Sequence, residues 1–555
     1  MIAAGPLLWL MYAAQHASFA GLSRDQGARQ GVAWAVAHGA RLYRDIREID
    51  GPLAIELHLL AQRLGGVDAR ALRCLDLVLS SAVFMFVGAS LPGATRASPV
   101  RRPLHEQVLW ALAACVLLLA QYLALYDASQ LTQRESIFDW FVLGALACVF
   151  RERQSEHARN AKLWLLLAGA ASATPWFGKP LWVFYSLAHL WAFASVPSRA
   201  GLSLRSRLVA FCTGLGVGCA LQLGFLAMRG DVGAFLRIYL IESPRYYDSV
   251  WPHRFEDLLS PTRAQLCLQA LVASLAIIAL VATRRIGRHT LALAAIPLLG
   301  IGLDFVQGRS FGEHLHPVTA GTALIALALC CELATEPRLP AESSRGAGVW
   351  ALLLGTLLAF RAATALLASP HLRTDWTMID GATRAGRASV GFARHYDSSD
   401  FASSAMFDVA MFLRQRTRPD DRIQLYGMDP YLLALAERRS ATPYVYSADL
   451  VPDAPIAGIR LRGGSAREVE AARAIARRNA ADFLGRLQRA NPAAFVLFDR
   501  APFRHPTRAL DELLTNVPSL GPLLRESYNE VPSLSALHIY MRKDRWSPPP
   551  PPPKR

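Results

Sequence analysis

Three carboxylates fall within six positions in the stretch Tyr43-Arg44-Asp45-Ile46-Arg47-Glu48-Ile49-Asp50-Gly51-Pro52. Such a set, with arginines interleaved, can supply a general base, hold a cation or grip a phosphate. The spacing of Asp45 and Glu48 places both on one face of a short helix. The plain alternative is an interfacial helix whose charges simply face water. Gly51-Pro52, ahead of the apolar run 53–64, reads as a turn feeding a second interfacial helix.

Four further stretches carry chemistry-bearing side chains. Gln133-Arg134-Glu135 sits in a very short loop between apolar blocks, where a charge cannot stray far from the membrane surface. Glu135 is either a cavity-facing acid or an ordinary helix-end charge. Lys179-Pro180 follows Pro175-Trp176-Phe177-Gly178, between two short apolar halves. A lysine there suits an anionic lipid headgroup, and ordinary snorkelling is the alternative. Arg309, His314 and His316 precede another apolar block and can bind a phosphate, or form a polar span end. His314-Leu315-His316 is too few ligands for a metal site. In the loop 229–263, Arg245, Tyr246 and Tyr247 stand with Trp251 and His253. Aromatic and basic residues together suit sugar stacking, or an aromatic belt at the membrane surface.

The elements that must position these residues are membrane helices. Of 555 residues 53% are hydrophobic and 18% charged, whereas a soluble domain is usually about a quarter charged. The apolar residues come in blocks, such as 108–125, 208–228, 264–282 and 317–334, each long enough for a ~30 Å hydrocarbon core. We expect about eleven spans, near 2–20, 71–93, 108–126, 136–150, 163–176, 180–196, 208–228, 264–282, 290–306, 317–334 and 349–369. The 1–20 stretch lacks a basic start and carries Tyr12, Gln15 and His16, so it reads as a span and not a signal peptide. Every second loop is basic, with Arg96, Arg101 and Arg102, then Arg151, Arg153, Arg159 and Lys162, then Arg199, Arg205 and Arg207, then Arg284, Arg285 and Arg288, then Arg338 and Arg345. These loops are expected to be cytoplasmic. The loop 21–70, the loops near 127–135, 176–179, 229–263 and 307–316, and everything after about 370 are then extracytoplasmic.

After 369 the composition changes. Helices are expected over 400–417, 430–438 and 466–490, and strands over 422–426, 442–446, 493–498 and 536–541. That alternation predicts a C-terminal α/β domain over 370–545, after a transmembrane domain over 1–369. Residues 546–555 are a proline-rich disordered tail.

The net charge of +16 does not imply a nucleic-acid partner. Much of it sits in short loops as orientation signals, and no Lys/Arg tract adjoins an aromatic platform. The eight cysteines all lie in apolar segments, without metal-ligand spacing, as buried small hydrophobes. High Arg and Ala with little Lys suggests a GC-rich, bacterial source, hence a plasma (inner) membrane protein.

Together these features resemble the GT-C-fold glycosyltransferases that take sugar from a polyprenyl-phosphate donor. The resemblance is to the bacterial protein-mannosyltransferase, aminoarabinose-transferase and lipopolysaccharide galacturonosyltransferase-like group. It rests on architecture and on sparse motifs. Tyr43-Arg44-Asp45 with Glu48 and Asp50-Gly51-Pro52 is similar to the first-loop pattern of that group. Gln133-Arg134-Glu135 is similar to its Gln-Arg-Glu-His, with Ser136 in place of the histidine. Lys179-Pro180 and the Gln307, Arg309, His314, His316-Pro317 stretch are similar to its later polar loops, with Arg309 where a lysine is expected.

The resemblance implies a periplasmic transfer to a hydroxyl of a glycan, lipid or protein, with Lys179, Arg309, Arg134, His314 and His316 on the lipid phosphate. Asp45 is the first choice of base, then Asp50 and Glu48, with Glu135 assisting. A single displacement inverts the anomeric centre. No cofactor or metal is expected, a divalent cation being the alternative. Membrane lipids are the remaining partners. Two other readings stand: a polytopic lipid or solute transporter or flippase, disfavoured by the lack of internal repeats, and an O-antigen-ligase-like enzyme, which leaves the acidic first loop unexplained.

Overall fold

The computed structural model describes residues 4–92, 103–126, 130–250, 260–284, 286–307, 311–335, 403–499, 507–534 and 537–546. The span expected at 349–369, Trp251, His253, Arg309 and the proline-rich tail lie outside the described residues.

The chain folds into two compact units, each assembled from three stretches of sequence. One gathers Met1–Phe19, Arg73–Leu223 and Arg254–Thr377. The other gathers Ala20–Leu72, Gly224–His253 and Met378–Arg555, so the first polar loop and the 224–253 loop fold with the C-terminal residues.

The first unit is helical. Helices Ala4–Phe19, Ala69–Ser90, Leu104–Leu125, Arg134–Gln154, Ala158–Ala173, Val183–Ala194, Leu204–Arg229, Pro261–Ala282, Leu291–Gln307 and His316–Thr335 occupy expected spans. Among the described residues, six segments are long and apolar enough to cross a membrane: Ala69–Ser90, Leu104–Leu125, Leu204–Arg229, Pro261–Ala282, Arg288–Gln307 and Gly312–Cys331. Arg134–Gln154 carries Glu135, Asp139, Glu152 and three arginines, more charge than a plain apolar span holds. Small residues bring the helices close. A Cβ on Gly169 would overlap the Phe211 carbonyl, and one on Gly214 the Leu166 carbonyl, so Ala158–Ala173 and Leu204–Arg229 pack backbone against backbone.

The second unit is built on a five-stranded sheet of order β2-β1-β3-β5-β4. Its strands are β1 (Arg422–Tyr426), β2 (Arg439–Ser440), β3 (Ala494–Phe498), β4 (Tyr528–Leu534) and β5 (Leu537–Arg542). β1 runs parallel to β2 and β3, with Ile423 opposite Ala494; β5 runs antiparallel to β3 and β4. The helix Ala466–Ala490 starts on a Ser465–Glu468 capping box and ends at Asn491 in the left-handed region. Its buried residues Val469, Ala472, Ala476, Ala480, Phe483 and Leu487 repeat at three and four, as a helix with one core face requires. Phe483 and Leu487 pack with Tyr426, Phe495, Leu497 and Leu513.

Two expectations about this unit need correction. Residues 442–446 are not a strand, and β2 is only Arg439–Ser440. Pro443 has no N–H to give a ladder, and the Gln424 side chain instead donates to the Tyr444 carbonyl (2.9 Å) and accepts from the Thr442 amide (3.1 Å). β4 went unpredicted because Pro532 interrupts its pattern; such a strand belongs at a sheet edge, where β4 lies.

Candidate active site

In the unit that holds the acidic loop, residues 41–50 form a turn and not a helix, which corrects the expectation that Asp45 and Glu48 share a helical face. Leu42 bridges to Ile46 and Gly230, the Tyr43 amide donates to the Ile46 carbonyl (2.8 Å), and Tyr43 has φ 70°. A helix cannot pass through a left-handed residue. The Gly51-Pro52 turn does start a helix, Pro52–Gly65, with Gly51 as N-cap and proline in the first turn.

Asp45 is the carboxylate of this loop that reaches solvent, at 34% side-chain exposure. The Arg44 guanidinium grips both of its oxygens at 2.9 Å, and the Arg41 amide donates to Oδ2 at 3.0 Å. Partial burial pushes its pKa up, but Arg44, the Arg41 amide and the charge of Arg486 outweigh that and hold it below the usual value. Asp45 is therefore ionised and able to accept a proton.

Glu48 and Asp50 are buried and committed to the loop's shape. Glu48 Oε1 accepts from the amides of Ile49 (2.8 Å) and Asp50 (3.0 Å), and Oε2 accepts from the Tyr446 hydroxyl (2.9 Å). Asp50 Oδ2 accepts from Arg29 Nε at 2.8 Å.

Between them, Arg47 turns inward. Its Nε donates to Asp449 Oδ1 (3.0 Å), and its Nη2 donates to Glu242 Oε2 (2.7 Å) and to the Tyr247 hydroxyl (3.0 Å). Tyr247 in turn donates to Asp449, and Arg478 pairs with the other oxygen of Glu242. Burial pushes Asp449 up, against the lowering effect of Arg47 and Tyr247, and the net value stays above the usual one. Sequence reasoning missed Arg47, Glu242 and Asp449. An arginine amid three carboxylates looks like solvated charge, and its partners are remote in sequence.

The expectation that Tyr246 and Tyr247 stack on a sugar is also corrected. Both are buried, meet edge to face at 5.1 Å, and pack with Ala448, Ile456 and Ile459. Their rings are core; only Arg245 is exposed.

In the helical unit, four separate stretches converge. Glu135, in the first turn of Arg134–Gln154, pairs with Lys179, with Arg134 Nε (3.1 Å) and with His314 Nε2 (3.7 Å). Lys179 also reaches Gln307 and approaches His314 Nε2 (3.3 Å). It stands between two short 3₁₀ turns, Thr174–Phe177 and Pro180–Trp182, which break the helical pair as expected. His316 does not join this group: its ring stacks on Tyr126 at 3.8 Å, and its Nε2 meets the Gln130 carbonyl at 3.2 Å. The two histidines therefore do not act as a pair. Among the described residues no three His, Cys, Asp or Glu side chains are placed to hold a metal ion.

Buried hydrogen bonds and an ion pair hold the two loops of this cluster. Arg73 donates to the Leu131 carbonyl (2.6 Å) and Thr132 Oγ1 (2.9 Å). Asp76 accepts from Thr132 Oγ1 (2.9 Å) and the Tyr122 hydroxyl (2.8 Å), which itself accepts from the Thr132 amide (2.7 Å). Thr132 has φ 59°, and this net keeps it there, just ahead of Glu135. Arg263 pairs with Asp304 and donates to the Phe311 carbonyl (3.0 Å), at the start of the Gly312–Leu315 turn that bears His314. The signal for these residues was present in the sequence: an ionisable residue inside an apolar block is rarely idle.

No protein-family model matches the chain, and no curated protein matches it. Among solved structures it is similar to ArnT from Cupriavidus metallidurans bound to undecaprenyl phosphate, with TM-score 0.44 and 14% identity over 97% of this chain and 96% of that one. The apo state of that protein gives TM-score 0.45 and 15% identity over the same shares. The Archaeoglobus fulgidus oligosaccharyltransferase in complex with Zn and sulfate gives TM-score 0.45 and 10% identity over 96% of this chain and 73% of that one.

Proposed function

We propose that this protein is a GT-C-type membrane glycosyltransferase. It moves a sugar from a polyprenyl-phosphate donor to a hydroxyl of a cell-envelope glycan, lipid or protein, on the extracytoplasmic face of a bacterial inner membrane. The observation that carries this reading is the convergence of Lys179, Arg134 and His314 on Glu135. These are two permanent cations and an imidazole from three stretches of sequence, with Gln307 from a fourth. Cations held at the ends of apolar helices suit a lipid phosphate, whose charge grows as the sugar leaves. Lys179 and Arg134 exchange Glu135 for the phosphate when donor binds, and Arg309, five positions before His314 in the sequence, adds a third cation.

In the other unit, Asp45 is the group for the acceptor. Its carboxylate takes the hydroxyl proton as the acceptor oxygen bonds to the anomeric carbon and the bond from that carbon to the phosphate oxygen breaks. One displacement with one base inverts the centre. Glu48, Asp50 and Arg47 hold the loop that presents Asp45.

The test is a transfer assay in membranes supplied with polyprenyl-phosphate sugars. Asp45→Asn is expected to abolish transfer with normal membrane insertion, and Lys179→Met to weaken donor binding at least tenfold. Full transfer by Asp45→Asn removes the base. Transfer absent with every donor, together with lipid or solute movement in proteoliposomes, replaces the enzyme with a transporter.

A further inference from the structure

One turn along the Arg134–Gln154 helix from Glu135 lies a second ionisable group, Asp139, which the proposed transfer does not use. It is 6% exposed and lines an internal cavity of the helical unit with Gln121, Ser136, Tyr126, His316 and Thr319. Among the described residues it has no hydrogen-bond or ion-pair partner, and the charge that acts on it most is another carboxylate, Glu135. A bare carboxylate in a low-dielectric helix bundle costs several kcal/mol unless something neutralises it. Asp76, the other buried acid nearby, differs: Tyr122, Thr132 and Arg73 already satisfy it.

Most of the cavity's hydrogens are spent elsewhere. Gln121 Nε2 donates one hydrogen to the Thr319 carbonyl (2.8 Å), Ser136 Oγ donates to the Gln133 carbonyl (2.7 Å), Thr319 Oγ1 donates to the His316 carbonyl (3.1 Å), and the Tyr126 hydroxyl donates to Thr319 Oγ1 (2.7 Å). What these groups leave for the cavity is one Gln121 N–H and, in larger number, oxygen lone pairs: the Gln121 amide oxygen, the hydroxyls and the Asp139 carboxylate. A proton on Asp139 would need one of them at most. Several hard oxygen donors around one uncompensated negative charge match a cation of single charge. The space admits about one or two water-sized groups, which excludes a sugar and suits a bare or singly hydrated ion.

We infer that this cavity is a monovalent alkali-cation site, with Asp139 as its charged ligand and the Gln121 amide oxygen and the Ser136 hydroxyl completing it. The inference stands whether or not the protein transfers sugar.

The experiment is thermal unfolding of the full chain in nanodiscs, titrated with NaCl or KCl against N-methyl-glucamine chloride at constant ionic strength. An ion that binds only the folded state raises Tm with concentration, here by at least about 2 °C for one of the two salts. Asp139→Asn is expected to lose that response. Gln121→Leu, a milder change at a half-buried position, is expected to move the midpoint at least fivefold higher in salt. A wild type whose Tm ignores both ions overturns the site, and leaves Asp139 protonated beside a trapped water. An Asp139→Asn variant that keeps the full response overturns it too. Should Asp139→Asn not fold, the wild-type titration and Gln121→Leu decide alone.

Discussion

Replacing Arg47 by Met tests whether the acidic loop is held by its own inward-facing arginine. The substitution keeps a long apolar stem and deletes the guanidinium that satisfies Asp449, Glu242 and Tyr247. Glu242 retains Arg478. Asp449 retains only the Tyr247 hydroxyl on Oδ1, among the described residues, with its carboxylate fully buried and Oδ2 without a hydrogen bond. Breaking a buried pair by removing one partner costs about 3–5 kcal/mol. We expect that loss for the unit, read as a fall in unfolding midpoint of the purified protein. Amide hydrogen exchange over 41–50 is expected to quicken by a factor of about 10²–10³.

The pH dependence has a definite sign. Arg47 restrains the upward pull of burial on Asp449, so in the variant the folded-state pKa climbs further above the unfolded one. Between those two values the folded variant takes up a proton that the unfolded chain does not, and acidification stabilises it. The gap between wild type and variant therefore narrows as pH falls toward the ordinary carboxylate range. A loss under about 1 kcal/mol, or a gap that widens on acidification, refutes the reasoning.

Three further outcomes follow from the same geometry. Because Arg44, the Arg41 amide and Arg486 hold Asp45 below its usual pKa, the base form persists as pH drops; transfer is expected to be lost only below about pH 4, and an acid limb above pH 5 assigns the base elsewhere. Gly31→Ala gains up to about 1 kcal/mol of helix preference but drives a Cβ into the Pro430 carbonyl, for a net loss of about 1–2 kcal/mol in denaturant titration. Asp76→Asn removes the carboxylate that accepts from Thr132 and Tyr122 and so loosens Thr132; the expected result is a donor KM raised several-fold with a smaller change in kcat, and an effect confined to kcat would break the link from Thr132 to the phosphate cluster.

What the sequence disclosed depends on how local the cause is. The helix Ala466–Ala490 was legible to the residue, since Ser465, Glu468 and Asn491 mark its ends chemically. β1 and β3 were legible as short β-branched and aromatic runs. Glu135, Lys179 and His314 could be named separately because each breaks an apolar stretch, and only the fold could bring them to one place. The loop at 41–50 was misread as helical because spacing cannot reveal that Tyr43 takes a positive φ to bridge Leu42 and Ile46. Tyr246 and Tyr247 were misread because an aromatic pair looks the same whether it faces a ligand or a core. Arg47 was invisible because the carboxylates that define it stand 195 and 402 positions downstream.

That last separation sets a timetable. A ribosome adding about 5–20 residues per second needs about 20–80 s to travel from Arg47 to Asp449. Through that interval the early apolar helices can already be inserted, while the loop between them waits for Asp449 and Tyr446 to emerge. The acidic loop is thus completed only once Asp449 has been made, and a chain halted before Tyr446 lacks the partners that Glu48 and Arg47 find there.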